Sequence, residues 1–335
     1  MHIAFFEIQP WEQTTLEERF AGHKLSFFDR TLELTDLDLL KECEVLSVFI
    51  YSHIDAAVIQ KLPNLKLIVT RSTGFDHIDL EAATARNILV SNVPSYGENT
   101  VAEHTFALIL ALSRNVHKSH VRRLANDFSI EGLEGFDLKG KTLGVVGAGK
   151  IGLHVIKIAK GFGMEVIAYD AFENQFLAEV LDFKYVPLQK LFASADILSL
   201  HTPYNKETHH LINEQNISLL KRGSILINTA RGELIETDAL LKGLDEGILA
   251  GVGLDVIEGE LLVREEKELL AKRVNSAEVQ ALAEDHALLS RDNVVYTPHI
   301  AFYSREALER ILSTTIHNIE CYAIGQCKNL VTPNK

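Results

Sequence analysis

Three polar residues in the second half of the chain stand where apolar runs end. Arg231 follows SILINTA, Glu260 follows GVGLDVIEG and His299 follows VVYTP. One chemistry suits all three. A guanidinium offers two parallel N–H donors to a carboxylate and polarises a carbonyl beside it. An imidazolium donates a proton to that carbonyl oxygen as hydride reaches the carbon, and a neutral imidazole removes it in the reverse direction. A carboxylate bonded to an imidazole favours the protonated ring and fixes its tautomer. Singly, each has a plain alternative: an ion pair for Arg231, a charged surface for Glu260, a capped loop for His299. His201, after ADILSL, either lines a cofactor cleft or packs there. His77 and His104 read as structural. His209 and His210 are adjacent, so on a helix or strand their side chains would diverge, and no metal site is expected of them.

Such chemistry needs a hydride carrier. Gly147-Ala148-Gly149-Lys150-Ile151-Gly152 directly follows the apolar run TLGVV and opens the helical stretch IGLHVIKIAKGF. In that strand–turn–helix setting the glycines permit a tight turn and close approach of backbone to a pyrophosphate at the positive helix end. Asp170 closes EVIAYD, 18 residues after Gly152, where an acid accepts hydrogen bonds from a ribose 2′-hydroxyl and repels a 2′-phosphate. Ala171 and Phe172 follow, with no Arg to welcome that phosphate, so NAD is favoured over NADP. S-adenosylmethionine is the rival ligand, because methyltransferases also place an acid after their second strand. It leaves the Arg, Glu and His without a role.

The elements that must position these residues follow from the apolar runs. Strands are expected at 2–8, 24–29, 45–50, 65–70 and 88–91, then at 142–147, 165–170, 195–200, 224–229, 250–255 and 294–297. Helical stretches lie between, at 150–162, 213–221 and 236–246 among others. Strand runs apolar throughout and separated by helices imply buried parallel strands, here in two α/β domains with no sequence repeat linking them. The run 101–127 reads as one long helix or a bent pair. Residues 262–292 are charge-rich and helix-prone, a solvated excursion or a lid. An amphipathic helix near 304–325 has to pack somewhere, with the first domain one option.

Composition sets the outer limits. A chain of 335 residues, 47% hydrophobic, suits two domains with ample core. A formal net charge of −13 argues against nucleic acid or an anionic membrane surface as the main partner, so an anionic substrate must be met by a few placed cations. Cys43, Cys321 and Cys327 form no CxxC pair, which supports neither a disulfide framework nor a zinc site. No run approaches the ~18 apolar residues of a membrane span. The start, MHIAFFEIQPWEQ, lacks the basic region of a signal peptide, and a cytoplasmic location is the default.

Seven segments carry a resemblance over essentially the whole chain: RSTGFDHID (71–79), NVPSYGENTVAEH (92–104), KTLGVVGAGKIG (141–152), HTPYNKETHHLIN (201–213), ILINTARGELI (225–235), GLDVIEGE (253–260) and TPHIAFYS (297–304). In this order they resemble the D-isomer-specific 2-hydroxyacid dehydrogenases. The resemblance implies an α/β protein of two Rossmann-like domains. A flavodoxin-like substrate domain at 1–98 and 301–335 would flank a doubly wound NAD-binding domain at 99–300, with the active site in the cleft between. Arg231 would bind the substrate carboxylate, His299 would be the acid/base and Glu260 its partner. Ser72, Thr73 and Gly74 would offer backbone amides to that carboxylate, while Tyr96 and Phe302 would approach the substrate side chain.

The cofactor would lie against Gly147, Gly149, Lys150, Ile151, Gly152, Asp170, His201, Thr202, Pro203, Thr229 and Ala230, with Asp255 positioning the nicotinamide amide. The helix near 101–120 would pair two copies as a homodimer. Tyr96 and the Phe302-Tyr303 pair look most like the lactate-forming members, which favours pyruvate among small 2-oxo acids. Hydroxypyruvate, glyoxylate and aromatic 2-oxo acids are the alternatives within the family. An NAD(H)-sensing regulator on the same fold is the alternative outside it, though the basic tails of such proteins are missing. Two stretches depart from the pattern. Glu260 runs into Leu261-Leu262 and a charged stretch, and 129–136 offers no match to an aromatic contact that some lactate enzymes use.

Overall fold

Runs of β-branched and aromatic residues form two sheets in which every strand pair among the described residues is parallel. A computed structural model describes residues 1–259 and 284–333. Contacts divide the chain into two units, 1–96 with 304–335 and 97–303.

The first unit holds β1 (His2–Phe5), β2 (Lys24–Phe27), β3 (Val45–Val48), β4 (Leu67–Thr70) and β5 (Leu89–Ser91), with helices α1 (Pro10–Arg19), α2 (Ala56–Lys61) and α3 (Leu80–Ala85) between them. The order β2-β1-β3-β4-β5 is the flavodoxin-like one. Both faces of this sheet are covered, which is why its inner strands β1, β3 and β4 are buried throughout and mostly apolar. Ile3 and Phe5 of β1 join Leu16 and Phe20 on one side. Ala4 of β1 and the following Phe6 join Leu40, Ile59 and Ile68 on the other. The C-terminal helix (Arg305–Ala323) closes the first of these faces with Leu312, Ile316 and Ile319.

The second unit holds β6 (Thr142–Val146), β7 (Glu165–Tyr169), β8 (Lys184–Tyr185), β9 (Ile197–Leu200), β10 (Ser224–Asn228), β11 (Leu249–Leu254) and β12 (Val294–Tyr296). Its helices include α4 (Glu98–Ser113), α5 (Val116–Leu124), α6 (Lys150–Gly161), α7 (Gln175–Val180), α8 (Leu188–Ser194) and α9 (Thr237–Asp245). The order β8-β7-β6-β9-β10-β11-β12 is the doubly wound order with one strand added at the edge. The winding reverses between β6 and β9, and ligands of open parallel sheets gather at such a reversal.

Two expectations are revised or resolved. The run 101–127 becomes two helices, because Asn115 adopts a left-handed backbone (φ 51°) and its side chain donates to the Glu134 carbonyl. The helix expected at 213–221 is a turn with a short 3₁₀ segment, Ile217–Leu219. There, Asn213 and Asn216 take the backbone groups that a helix would use, Asn216 Oδ1 accepting from Asn213 N and Asn213 Oδ1 from Gln215 N. The edge strand β8 has only two residues and carries no run long enough to read. Of the charged stretch 262–292, residues 262–283 lie outside the described residues, and 284–289 is helical.

That last segment supplies a pH prediction. Burial, with Glu284 and Glu258 adding to it, pushes the Asp285 carboxyl up to about 6. Asp285 is 2% exposed, and its Oδ2 has no hydrogen-bond partner among the described residues. A carboxyl raised in the fold keeps a proton that the unfolded chain releases from about 3.8 upward, so stability falls as pH rises through that window. Asp285→Asn is therefore expected to add on the order of 1–3 kcal/mol to stability at pH 8 and little at pH 4. Urea unfolding at the two pH values checks it, and an equal change at both contradicts it.

Candidate active site

At the reversal of winding, β6 runs into Gly147, whose φ of +92° suits glycine. A Cβ there would lie 2.7 Å from the His201 carbonyl carbon, and one on Gly152 would lie 2.0 Å from the Gly147 oxygen. The turn is thus folded tightly onto both the next strand end and its own helix. Gly149 differs: a Cβ built on it meets nothing within 4 Å. Open space therefore stands before the N-terminus of α6, which carries no side-chain cap. Unpaired N–H groups and the positive helix end make that space fit for a pyrophosphate. Asp170 is held beside it, accepting from Ala148 N (2.7 Å) and Phe172 N (2.8 Å). Lys150 reaches Glu98 at 3.5 Å, and Ile151 packs into the core. Glycine turn, open helix end and fixed acid fit a dinucleotide.

Across the switch point, His201 Nε2 pairs with Ser199 Oγ at 2.8 Å, while its buried Nδ1 has no hydrogen-bond partner among the described residues. Burial pushes this imidazole down to about 3, so the ring is neutral at physiological pH. Thr202 is half-buried and Pro203 exposed, its carbonyl accepting from Thr208 Oγ1. At the end of β10, the Asn228 side chain accepts from Ala230 N (3.0 Å) and donates to the Arg231 carbonyl (2.7 Å), curling Thr229–Arg231 into a turn. Thr229 is pinned to α4 through Thr105 at 3.0 Å, and Arg231 donates to the Ala230 carbonyl at 2.8 Å. Gly232 lets that turn press on the chain after β11, since a Cβ would sit 2.1 Å from the Ile257 carbonyl carbon.

His299 sits past the end of β12 in a left-handed conformation (φ 54°). Such a backbone costs about 1–3 kcal/mol in a non-glycine residue and persists only where its surroundings fix it. Asp255, fully buried, does the fixing. Its Oδ1 accepts from Thr297 Oγ1 (2.5 Å) and Ile300 N (2.9 Å), its Oδ2 from Ala301 N (2.8 Å), and its carbonyl from His299 N (2.8 Å). His104 adds Nε2 at 2.9 Å from Thr297 Oγ1 and 3.5 Å from Asp255 Oδ1. Burial holds the His104 imidazole below and the Asp255 carboxyl above their ordinary values, each charge opposing the shift of the other. The loop 297–301 is therefore set from beneath, through three backbone N–H groups and the Thr297 hydroxyl. Phe302 stands edge-on to the His299 ring, centroids 6.4 Å apart, and Tyr303 in turn edge-on to Phe302 at 5.7 Å.

Among the other sequence candidates, Ser72, Thr73, Gly74 and Tyr96 lie in the first unit. Ser72 Oγ donates to the Gly74 carbonyl (2.6 Å), Thr73 Oγ1 to the Val93 carbonyl (2.9 Å), and Asn92 to the Thr73 carbonyl (2.8 Å). This loop has one set shape. Tyr96, half-buried, closes the first stretch of that unit. Glu260 lies outside the described residues. Asn228 and Thr297 shape the turn of Arg231 and the loop of His299 without having been singled out in the sequence. Each stands within three residues of a candidate, the one signal that pointed to them.

The fold and this turn define a dinucleotide-binding protein. Comparison with known proteins takes the definition further. Residues 106–301 match the family model "D-isomer specific 2-hydroxyacid dehydrogenase, NAD binding domain". The D-lactate dehydrogenase of Escherichia coli is 33% identical over 98% of this chain and 99% of its own. A glyoxylate reductase of Korarchaeum cryptofilum is 34% identical over 87% of this chain and 82% of its own. A crystal structure of D-lactate dehydrogenase from Aquifex aeolicus, complexed with NAD and lactic acid, superposes with a TM-score of 0.87 at 37% identity, covering 98% of both chains. The chain belongs to the D-isomer specific 2-hydroxyacid dehydrogenases. NAD is its cofactor.

Proposed function

We propose that the protein reversibly reduces a small 2-oxo acid, pyruvate before others, to the D-2-hydroxy acid. The observation that supports this most is His299, locked by Asp255 in a left-handed turn with Phe302 edge-on beside it. An acid/base must hold one direction toward the carbonyl oxygen, and a bulky ring beside it favours a substrate with a short side chain. Bound NADH supplies the hydride. His299 gives the proton to the carbonyl oxygen, and Arg231 binds the carboxylate and polarises the carbonyl. Ser72, Thr73 and Gly74 offer amides to the same carboxylate, and Tyr96 meets the substrate side chain. Glu260 pairs with His299. Gly147 to Gly152, Asp170, His201 to Pro203, Thr229 and Ala230 hold the dinucleotide. Asp255 anchors the loop of the acid/base.

A panel of pyruvate, glyoxylate, hydroxypyruvate, phenylpyruvate and 2-oxoisocaproate, read by NADH oxidation with chiral analysis of product, tests the reading. Pyruvate is expected to have the highest kcat/KM and to give D-lactate. Glyoxylate leading would instead favour the second reading, which the glyoxylate reductase among the relatives supports. NADH binding with no acid reduced would overturn both.

A homodimer is part of the proposal. Helix α5 buries none of its residues within the chain. Its Val116, Val121 and Leu124 are more than half exposed, as are Phe128 and Ile130 beyond it. An amphipathic helix whose apolar side chains stand exposed among the described residues suits a twofold contact between copies. Val121→Asp with Leu124→Asp is expected to give a monomer in sedimentation velocity with NADH binding retained; an unchanged dimer would place the contact elsewhere. Among the described residues no helix is long and apolar enough to cross a membrane.

A further inference from the structure

Two carboxylates and a guanidinium cluster at the carboxyl edge of the first sheet, and the chemistry above uses none of them. Arg71 directly follows β4 and is 2% exposed. It donates from NH2 to the carbonyls of Phe6 and Glu7, both at 2.8 Å, and its guanidinium carbon lies 6.0 Å from the centre of the Phe49 ring. Its Nε stands 3.9 Å from Oε1 of Glu12, which is 5% exposed. Glu7 has a left-handed backbone (φ 56°). Its carboxylate accepts from Phe49 N (3.0 Å), Tyr51 N (3.1 Å) and Ser52 Oγ (2.6 Å).

The consequence is mechanical. The chain after β1, after β3 and after β4 is fastened together by one charged cluster, beyond the reach of the strand ladders. Glu7 cannot turn away without leaving three donors short of an acceptor, and Arg71 cannot shift without stranding a buried cation. Ser72 is the next residue after Arg71, so its backbone inherits that constraint. The hydrogen bonds of Ser72, Thr73 and Asn92 shape the loop itself; the cluster fixes where the loop begins.

We propose that Glu7 and Arg71 are positioning residues for the substrate: they lock the strand ends of the first unit so that the amides of Ser72, Thr73 and Gly74 stand in one geometry for the carboxylate of a 2-oxo acid. This rests on the role proposed above for that loop. Donors fixed in advance need no ordering when the anion arrives, so loosening them weakens substrate binding rather than the hydride step.

The test compares Glu7→Gln, which keeps the shape but turns one acceptor into a donor facing donors, with the milder Ser52→Ala. KM and kcat for the best 2-oxo acid and Kd for NADH are measured for each. Glu7→Gln is expected to raise KM about tenfold and Ser52→Ala a few-fold, with kcat within about twofold and the NADH Kd unchanged. A cluster that serves only folding would lower Tm and leave KM in place, which overturns the proposal. So does a KM rise matched by an equal loss of NADH affinity. Thr73→Pro, which deletes one loop amide, separates the two levels. A raised KM there with no change in the other two variants overturns the positioning role alone. No change in all three overturns the role of the loop as well. Should Glu7→Gln fail to fold, Ser52→Ala decides.

Discussion

His299→Gln is expected to lower kcat by a factor on the order of 10²–10⁴ while NADH binds as before, the loss that follows removal of a positioned proton donor. The local geometry makes this substitution clean. The position of residue 299 is set by its own N–H to the Asp255 carbonyl and by the Asp255 carboxylate on Ile300 and Ala301. All of these are backbone donors, which Gln retains. The left-handed φ is not lost either, since the turn is fixed from beneath. The effect is thus one of chemistry rather than of folding. Stopped-flow single turnover with pyruvate would read the step directly, and NADH fluorescence would confirm cofactor binding. Unchanged turnover would remove His299 as the acid/base.

Arg231→Lys is expected to lower kcat/KM for 2-oxo acids roughly 10- to 100-fold, most of it in KM, with NADH affinity kept. A hydrogen bond to a charged group contributes about 1.5–3 kcal/mol, and an ammonium cannot reproduce the paired donors of a guanidinium. The turn that presents residue 231 is closed chiefly by the Asn228 side chain and the close approach at Gly232, with the Arg231 side chain adding a bond to the Ala230 carbonyl. Equal loss of acid and cofactor binding would therefore contradict the assigned role. By contrast, Gly232→Ala would drive a methyl group into the Ile257 backbone and is expected to damage the turn itself.

Much of this was legible in the sequence for a physical reason. Buried parallel strands carry mostly apolar residues, so a charged or ionisable residue just past the end of one stands out, as Asp170, Arg231 and His299 do. The strand order of each sheet and the place where the winding reverses then follow from pairings that no local pattern contains. The fixing of the His299 loop was not legible. It depends on a carboxylate forty-odd residues earlier, Asp255, meeting Thr297, Ile300 and Ala301. Nor was the turn at 213–217 legible, where two Asn side chains outcompeted a helix that the spacing of apolar residues favoured. The Glu7–Arg71 cluster joins residues 64 positions apart, and a lone Glu after a strand reads as an ordinary surface acid.

The packing of the C-terminal helix onto the first sheet has a consequence for synthesis. Ile3 and Phe5 lie against Leu312, Ile316 and Ile319, on either side of an insert of roughly 200 residues. On the ribosome, the N-terminal strands emerge first, and Leu16 and Phe20 cover only part of that face until the C-terminal helix has been made. The inserted unit is contiguous and can complete its own core earlier. Once it has done so, closing the first unit no longer confines a long flexible loop, whose entropy would grow by about 0.6 kcal/mol with each doubling of length. The unit translated first is thus the unit finished last. For that interval the part of its strand face that Leu312, Ile316 and Ile319 cover in the finished protein is exposed apolar surface.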